Sequence, residues 1–238
     1  MGFSDYQYQD LLDRQADLYA RAKYEMILAR LEGRSGLDVL NAGCGSGDLS
    51  FMLARAGHRV VGVDPVPEYI AIAQRSAAQA ALLGCTFVTS TIEEFRSDRA
   101  FDCIAATDVL EHIHDDRGAF AKLVGLLRPQ GEIVITVPAG PWLFGYHDEQ
   151  LGHVRRYSKR SLRRLADELC SVESIRYFGF FLIPVCYLYS RVLRRPYPVR
   201  ESSTGGGLTS EILRLLLRVE KSVSMPVGTS LLLWGARA

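Results

Sequence analysis

The stretch Val39-Leu40-Asn41-Ala42-Gly43-Cys44-Gly45-Ser46-Gly47-Asp48 decides the fold. The apolar run Leu37–Asn41, stopped by Gly43, reads as a buried strand, and Asp48 to Arg55 reads as a helix closed by Gly57. Between them, glycines let the turn close and let a ligand approach the backbone, while amides at the helix start present donors. The spacing is G-x-G-x-G. The dinucleotide fingerprint G-x-G-x-x-G needs glycine at position 48, where this chain has Asp48, so a nicotinamide dinucleotide is disfavoured. An acidic residue at the helix start also suits a pyrophosphate poorly.

Working outward, the same alternation continues. Arg59–Asp64, Thr86–Val88, Phe101–Ala106 and Glu132–Val137 read as strands. Pro67 to Leu83 and Arg117 to Leu127 read as the helices between them, and Asp10 to Leu31 as a helix before them. Short apolar strands alternating with helices predict an α/β, Rossmann-like fold, its mostly parallel sheet covered on both faces. Beyond Pro138 the character changes. Pro141 to Tyr157 reads as a loop, Ser158 to Leu169 as a basic helix and Val172–Tyr177 as a strand. Ser202–Gly207 reads as a flexible break, Leu208 to Ser224 as an apolar-striped helix and Gly228–Gly235 as a last strand. The expected organisation is a single domain over 1–238. It comprises a helical cap (1–34), a cofactor-binding core (35–177), an apolar and basic helical insertion (178–224) and a final strand (225–238).

Composition fits a soluble globular chain. Of 238 residues, 48% are hydrophobic and 23% charged, which excludes disordered and collagen-like classes. The net charge of +1 conceals a split: residues 1–150 carry −8, and residues 151–238 carry +9. Five cysteines, an odd number with no C-x-x-C pair, fit reduced thiols in a cytoplasmic protein better than a disulfide framework or zinc ribbon. The polar, acidic start Met1 to Asp17 does not read as a signal peptide. The most apolar run, Tyr177 to Ser190, has 14 residues broken by Pro184, short of the ~20 that span a bilayer.

Asp64 ends the second strand, 17 residues after Gly47, where a carboxylate can accept hydrogen bonds from both hydroxyls of a ribose. With the glycine turn, this pattern resembles the class I S-adenosylmethionine-dependent methyltransferases over about Leu18 to Leu169 plus the last strand. The resemblance implies a seven-stranded sheet with S-adenosyl-L-methionine as cofactor and S-adenosyl-L-homocysteine as product. It places the methionine part on Asn41, Ala42, Gly43, Cys44, Gly45 and Gly47, the ribose on Asp64 beside Pro65, and the adenine on Ser90, Thr91 and Ile92. Thr107, just after the fourth strand, joins this set. The family usually has Asp or Glu where this chain has Asn41. An amide still accepts a hydrogen bond from the cofactor's ammonium, without the full charge, so weaker cofactor binding is expected.

After the fourth strand comes Asp108-Val109-Leu110-Glu111-His112. Ligands of a parallel sheet gather at the carboxyl ends of its strands, so this loop faces the reacting centre. With Thr91-Ile92-Glu93-Glu94-Phe95, it is most similar to the O-methyltransferases of ubiquinone biosynthesis, and also to RNA 3′-end 2′-O-methyltransferases. That similarity implies a divalent-metal set of Asp108, Glu111, His112 and the distant His147. Oxygen and imidazole ligands suit magnesium, manganese or zinc, and the metal would lower the pKa of an acceptor hydroxyl. Without metal, His112 or His147 is the expected general base, since imidazole titrates near neutral pH.

The segment His147-Asp148-Glu149-Gln150-Leu151-Gly152-His153-Val154-Arg155-Arg156-Tyr157 leads into a helix carrying Lys159, Arg160, Arg163 and Arg164. It reads either as an anion site or as a solvated basic face. In the insertion, Phe178–Tyr189 lies beside Arg191, Arg194, Arg195 and Arg200, the composition of a peripheral membrane contact through residues 178–200. The same features suit a lid over a hydrophobic substrate or a homodimer interface. Nucleic acid is disfavoured as a partner, because no RNA-binding module is present. The expected function is O-methylation of a small-molecule or lipid-like acceptor. The alternatives are an RNA 2′-O-methyltransferase and a non-catalytic cofactor-binding partner subunit.

Overall fold

Successive residues of the central strands point to opposite faces, and in this chain both faces are apolar. The computed structural model, which describes residues 17–196 and 208–238, shows where each set goes. The strands are β1 (Asp38–Ala42), β2 (Arg59–Asp64), β3 (Cys85–Thr89), β4 (Phe101–Thr107), β5 (Leu127–Pro138), β6 (Ser171–Phe178) and β7 (Ser230–Ala236). They form one sheet in the order β3-β2-β1-β4-β5-β7-β6. β1 to β5 run parallel, while β7 is antiparallel to both β5 and β6. This is the seven-stranded, mostly parallel architecture expected from the sequence.

The helices are α1 (Leu18–Arg30), α2 (Asp48–Arg55), α3 (Pro67–Gln79), α4 (Asp116–Leu126), α5 (Tyr146–Leu151), α6 (Lys159–Ala166), α7 (Ile183–Cys186) and α8 (Leu208–Ser222). On one face of the sheet, Leu40, Ile104, Ile133 and Leu231 pack against Phe120 and Leu123 of α4 and Leu162 of α6. On the other, Val39, Cys103, Val134 and Leu232 pack against Ile27 of α1 and Leu49 and Leu53 of α2. Each fully buried Leu, Ile or Phe contributes about 1.5–3 kcal/mol of transfer free energy. Layers on both faces thus fix the strand register and, with it, the loops at the carboxyl edge.

Several element boundaries depart from the sequence reading. α1 starts at Leu18 because Asp17 caps it, accepting from the amides of Tyr19 and Ala20; residues 10–16 of the expected helix lie outside the described residues. α3 ends at Gln79, short of Leu83, and Leu83 is 99% exposed after a left-handed Ala81. The expected 141–157 loop contains α5, a helix too short to show an apolar period. Asp148 supports its start by accepting from the amide of Gly145. β5 begins five residues earlier than expected, at Leu127.

The expected insertion comprises a 3₁₀ turn (Phe180–Leu182), α7, a π-helical turn (Tyr187–Leu193) and α8. The expected break at Ser202–Gly207, and Arg200, lie outside the described residues. Glu220 of α8 is 1% exposed and accepts from three successive amides: Gly179 (2.5 Å), Phe180 (3.0 Å) and Phe181 (3.0 Å). Arg176 of β6 donates to the carbonyls of Glu220, Lys221 and Val223, closing the end of α8. Removing a buried acceptor strands its donors at about 1–3 kcal/mol. Glu220→Ala is therefore expected to lower the melting temperature by roughly 5 °C in differential scanning calorimetry. An unchanged transition would show that this clamp adds nothing to the cooperative unit. Among the described residues, no helix is long and apolar enough to cross a membrane.

Candidate active site

The carboxyl ends of β1, β2 and β4 meet at one edge. The glycine turn leaves β1 there, with the amides of Gly43 and Cys44 donating to the Val63 carbonyl at 2.7 and 3.0 Å. Gly43 has φ +69, and a Cβ at this position would lie 2.2 Å from Val109 Cγ2. Glycine is thus required both by conformation and by the loop after β4 that rests on it. Gly47, at φ +95, leads directly into α2.

Asp64 closes the other side of the turn. It is 6% exposed, and its two oxygens accept from the Gly45 amide (2.9 Å) and the Val66 amide (3.0 Å). These bonds orient the carboxylate toward the glycine turn and leave lone pairs for a ligand. Asn41 donates through Nδ2 to Ser50 Oγ at 2.9 Å, while its Oδ1 is buried without a donor among the described residues. A buried acceptor left empty is costly, so a ligand carrying a positive donor fits it. Burial raises the Cys44 thiol well above its usual pKa, which keeps it neutral and non-nucleophilic. Ser90, Thr91 and the buried Ile92 follow β3, with the Ser90 amide donating to the Asp64 carbonyl at 3.0 Å. The structure thus assembles the expected cofactor residues along one edge; Pro65 follows Asp64 at the surface.

The loop after β4 starts at the buried Thr107. Asp108 takes the left-handed conformation, φ +55, unusual for a residue with a side chain. Its Oδ1 accepts from Thr136 Oγ1 at 3.1 Å, and its Oδ2 pairs with Nζ of Lys23 from α1. Lys23 is buried, a contact that no motif in the sequence announces.

Glu111 is fully buried, and His112, exposed, sits beside it on a 3₁₀ turn. Ligand-type atoms of Glu111, His112 and His153 all lie within 4.8 Å of one another. Of the expected ligand set, neither Asp108 nor His147 belongs to this group. Asp108 is turned to Lys23 and Thr136, while His147 opens α5 with its amide on Ser190 Oγ at 3.2 Å. The His112 and His153 rings meet edge to face, 4.7 Å between centroids.

The motif at 147–157 folds back beneath this loop. Asp148, fully buried, accepts from His153 Nδ1 (2.8 Å) and Arg156 Nε (2.7 Å). Burial alone would raise its pKa, but His153 and Arg156 outweigh that and hold it down at about 2. With Nδ1 committed to Asp148, His153 presents Nε2 toward Glu111, 4.0 Å from Oε1. Arg156 also donates to the Ala139 carbonyl, and the Tyr157 hydroxyl donates to Asp116 Oδ2 at 2.7 Å. Arg155 pairs with the same Asp116 oxygen at 2.8 Å. These partners make Arg155, Arg156 and Tyr157 struts of the loop after β4. His153 was legible in the motif's second histidine, but its contact with Glu111 needed the fold.

Comparison with known proteins agrees with this geometry. A family model described as a methyltransferase domain matches residues 12–169. A ubiquinone biosynthesis O-methyltransferase of Methylocella silvestris is 41% identical over 97 residues, covering 40% of this chain and 38% of the relative. Another, from Bradyrhizobium diazoefficiens, is 33% identical over 120 residues, covering 50% and 47%. The matched part of the chain thus spans about half, or less, of these relatives' length. Among solved structures, the N-methyltransferase NodS from Bradyrhizobium japonicum, in complex with S-adenosyl-L-homocysteine, shares the fold with TM-score 0.61 at 17% identity, covering 97% of both chains. The glycine turn, the Asp64 carboxylate and the family match over most of the chain lead to one assignment: the chain belongs to the class I S-adenosylmethionine-dependent methyltransferases.

Proposed function

We propose that this protein transfers a methyl group from S-adenosyl-L-methionine to an oxygen of a small-molecule or lipid-like acceptor. The observation that carries the cofactor reading is the presence of two buried acceptors at the glycine turn, Asn41 Oδ1 with no donor among the described residues and the Asp64 carboxylate held by the Gly45 amide. Asn41 would accept from the ammonium, the backbone from Gly43 to Gly47 would cradle the methionine part, and Asp64 would take the ribose hydroxyls. Bound there, the cofactor supplies an electrophilic methyl on a sulfonium. The chain contributes position and electrostatics. Thr107 and the loop after β4 would form one wall, and Glu111 within that loop would place negative charge where positive charge spreads in the transition state. His112, exposed at this edge, is the proposed base for the acceptor's proton. Oxygen as acceptor rests on the curated relatives, which are named O-methyltransferases.

Isothermal titration with both cofactor forms tests the first step, and methyl incorporation over an acceptor panel tests the second. Submicromolar to micromolar binding with transfer to hydroxyl acceptors is expected. Failure of either form to bind would overturn the reading. Transfer only to short RNAs, with steep salt dependence, would replace the acceptor class, and a tight protein complex without turnover would favour a partner subunit.

One observation favours a metal as well. Glu111, His112 and His153 offer one carboxylate and two imidazoles, and Asp148 orients His153 as outer carboxylates orient metal-bound histidines. This set would hold magnesium, manganese or zinc, which would acidify an acceptor hydroxyl. Titration calorimetry with manganese and zinc should show one site, weakened at least tenfold in His153→Ala. No heat with either ion would remove the metal.

A further inference from the structure

α8 has three faces, and only one is needed to hold it on the protein. Leu213 and Leu217 are buried toward α1, packed with Ala22. On the exposed side, Ile212, Leu215, Val219 and Val223 fall at helical spacing, between 44% and 60% exposed. The stripe between these faces is basic: Arg214, Arg218 and Lys221.

The basic stripe borders a cleft of about 410 Å³ between α8 and α1, to which α1 adds Arg21 above a floor of Ala22 and Leu217. Its four cations exceed the nearby carboxylates. Glu25 is shared by Arg21 (3.2 Å) and Lys221 (2.7 Å), and Arg214 reaches Glu211 (2.6 Å). Arg218 has no carboxylate partner among the described residues. Two guanidinium groups at one turn's spacing, facing a third across a headgroup-sized cleft, suit a phosphate diester.

The cleft and the exposed apolar stripe lie on the same helix. A soluble phosphate would use the cleft and leave the stripe in water. A second copy of this chain would cover the stripe but set like charge against like charge. A membrane with anionic headgroups answers both faces at once. We propose that α8 and α1 form a docking site for an anionic phospholipid surface, with the headgroup phosphate in the cleft and the stripe in the acyl boundary. Glu220 ties α8 to the start of the 180–193 segment, where Tyr187, Leu188 and Val192 are also exposed. The site is distinct from that segment and from the cofactor edge, so it stands or falls apart from the methyl-transfer reading.

Co-sedimentation with phosphatidylglycerol or phosphatidylcholine vesicles tests the proposal, using the full chain and the variants Arg214→Gln/Arg218→Gln and Leu215→Ser/Val219→Ser. Binding selective for phosphatidylglycerol is expected, reduced on the order of tenfold by either pair. S-adenosyl-L-homocysteine affinity and melting temperature serve as controls for folding and for the methyltransferase reading. Equal binding to both lipids, or undiminished binding by both pairs, would overturn the proposal. So would calorimetric binding of inorganic phosphate without vesicle binding, or a dimer by sedimentation velocity that either pair dissolves. A variant pair that fails to fold leaves the other pair to decide.

Discussion

Replacing Asp64 by alanine should weaken binding of S-adenosyl-L-homocysteine by about 10² to 10⁴-fold in titration calorimetry. The magnitude comes from two hydrogen bonds to a charged acceptor, each contributing about 1.5–3 kcal/mol. The carboxylate also accepts from the amides of Gly45 and Val66, so its loss releases the glycine turn from β2 as well. Asp64→Asn separates the two effects. It keeps one acceptor oxygen but loses the charge, and an intermediate loss is expected. Affinity within threefold of the parent in both variants would remove Asp64 from the site.

Asp148→Ala should be the most destabilising single change outside the apolar core. It leaves Arg156, 4% exposed at its side chain, without its carboxylate, and a broken buried pair costs about 3–5 kcal/mol. Urea denaturation measures this directly, and Asp148→Asn/Arg156→Met should recover most of the loss, because it strands no charge. The pH dependence has a defined sign. The Asp148 pKa is held at about 2, below the ordinary carboxylate value of 3.8 that applies when the chain is unfolded. Its contribution is therefore complete above about pH 4 and disappears as pH falls from there toward 2. The stability difference between parent and Asp148→Ala should shrink over that window. A difference constant down to pH 2 would contradict the assigned pairing.

The order of strands and helices up to β5 was legible because each strand is an apolar run bounded by glycine or a helix signal. The glycine turn and Asp64 were legible because backbone conformation and carboxylate chemistry fix their spacing. Lys23 was not legible: its partner lies 85 positions away, and nothing local distinguishes it from a solvent-facing lysine on a helix. The Glu111–His112–His153 group was half legible. Its first two members are adjacent, but choosing between His147 and His153 depended on how α5 turns at Gly152, a left-handed cap. The roles of Arg155 and Arg156 were not legible either, since only the fold shows that Asp116 of α4 and the buried Asp148 of α5 are their partners.

The donor-less Asn41 oxygen also has a bearing on selectivity among nucleosides. Under the proposed reading, a thioether nucleoside lacking the amino-acid tail still satisfies Asp64 and the adenine-side residues. It brings no ammonium to the amide oxygen. Sites with unmet buried polar groups reject analogues that cannot meet them more sharply than apolar pockets reject a missing methylene. The Asn41 amide would thereby make the chain a reader of the tail as well as of the sugar.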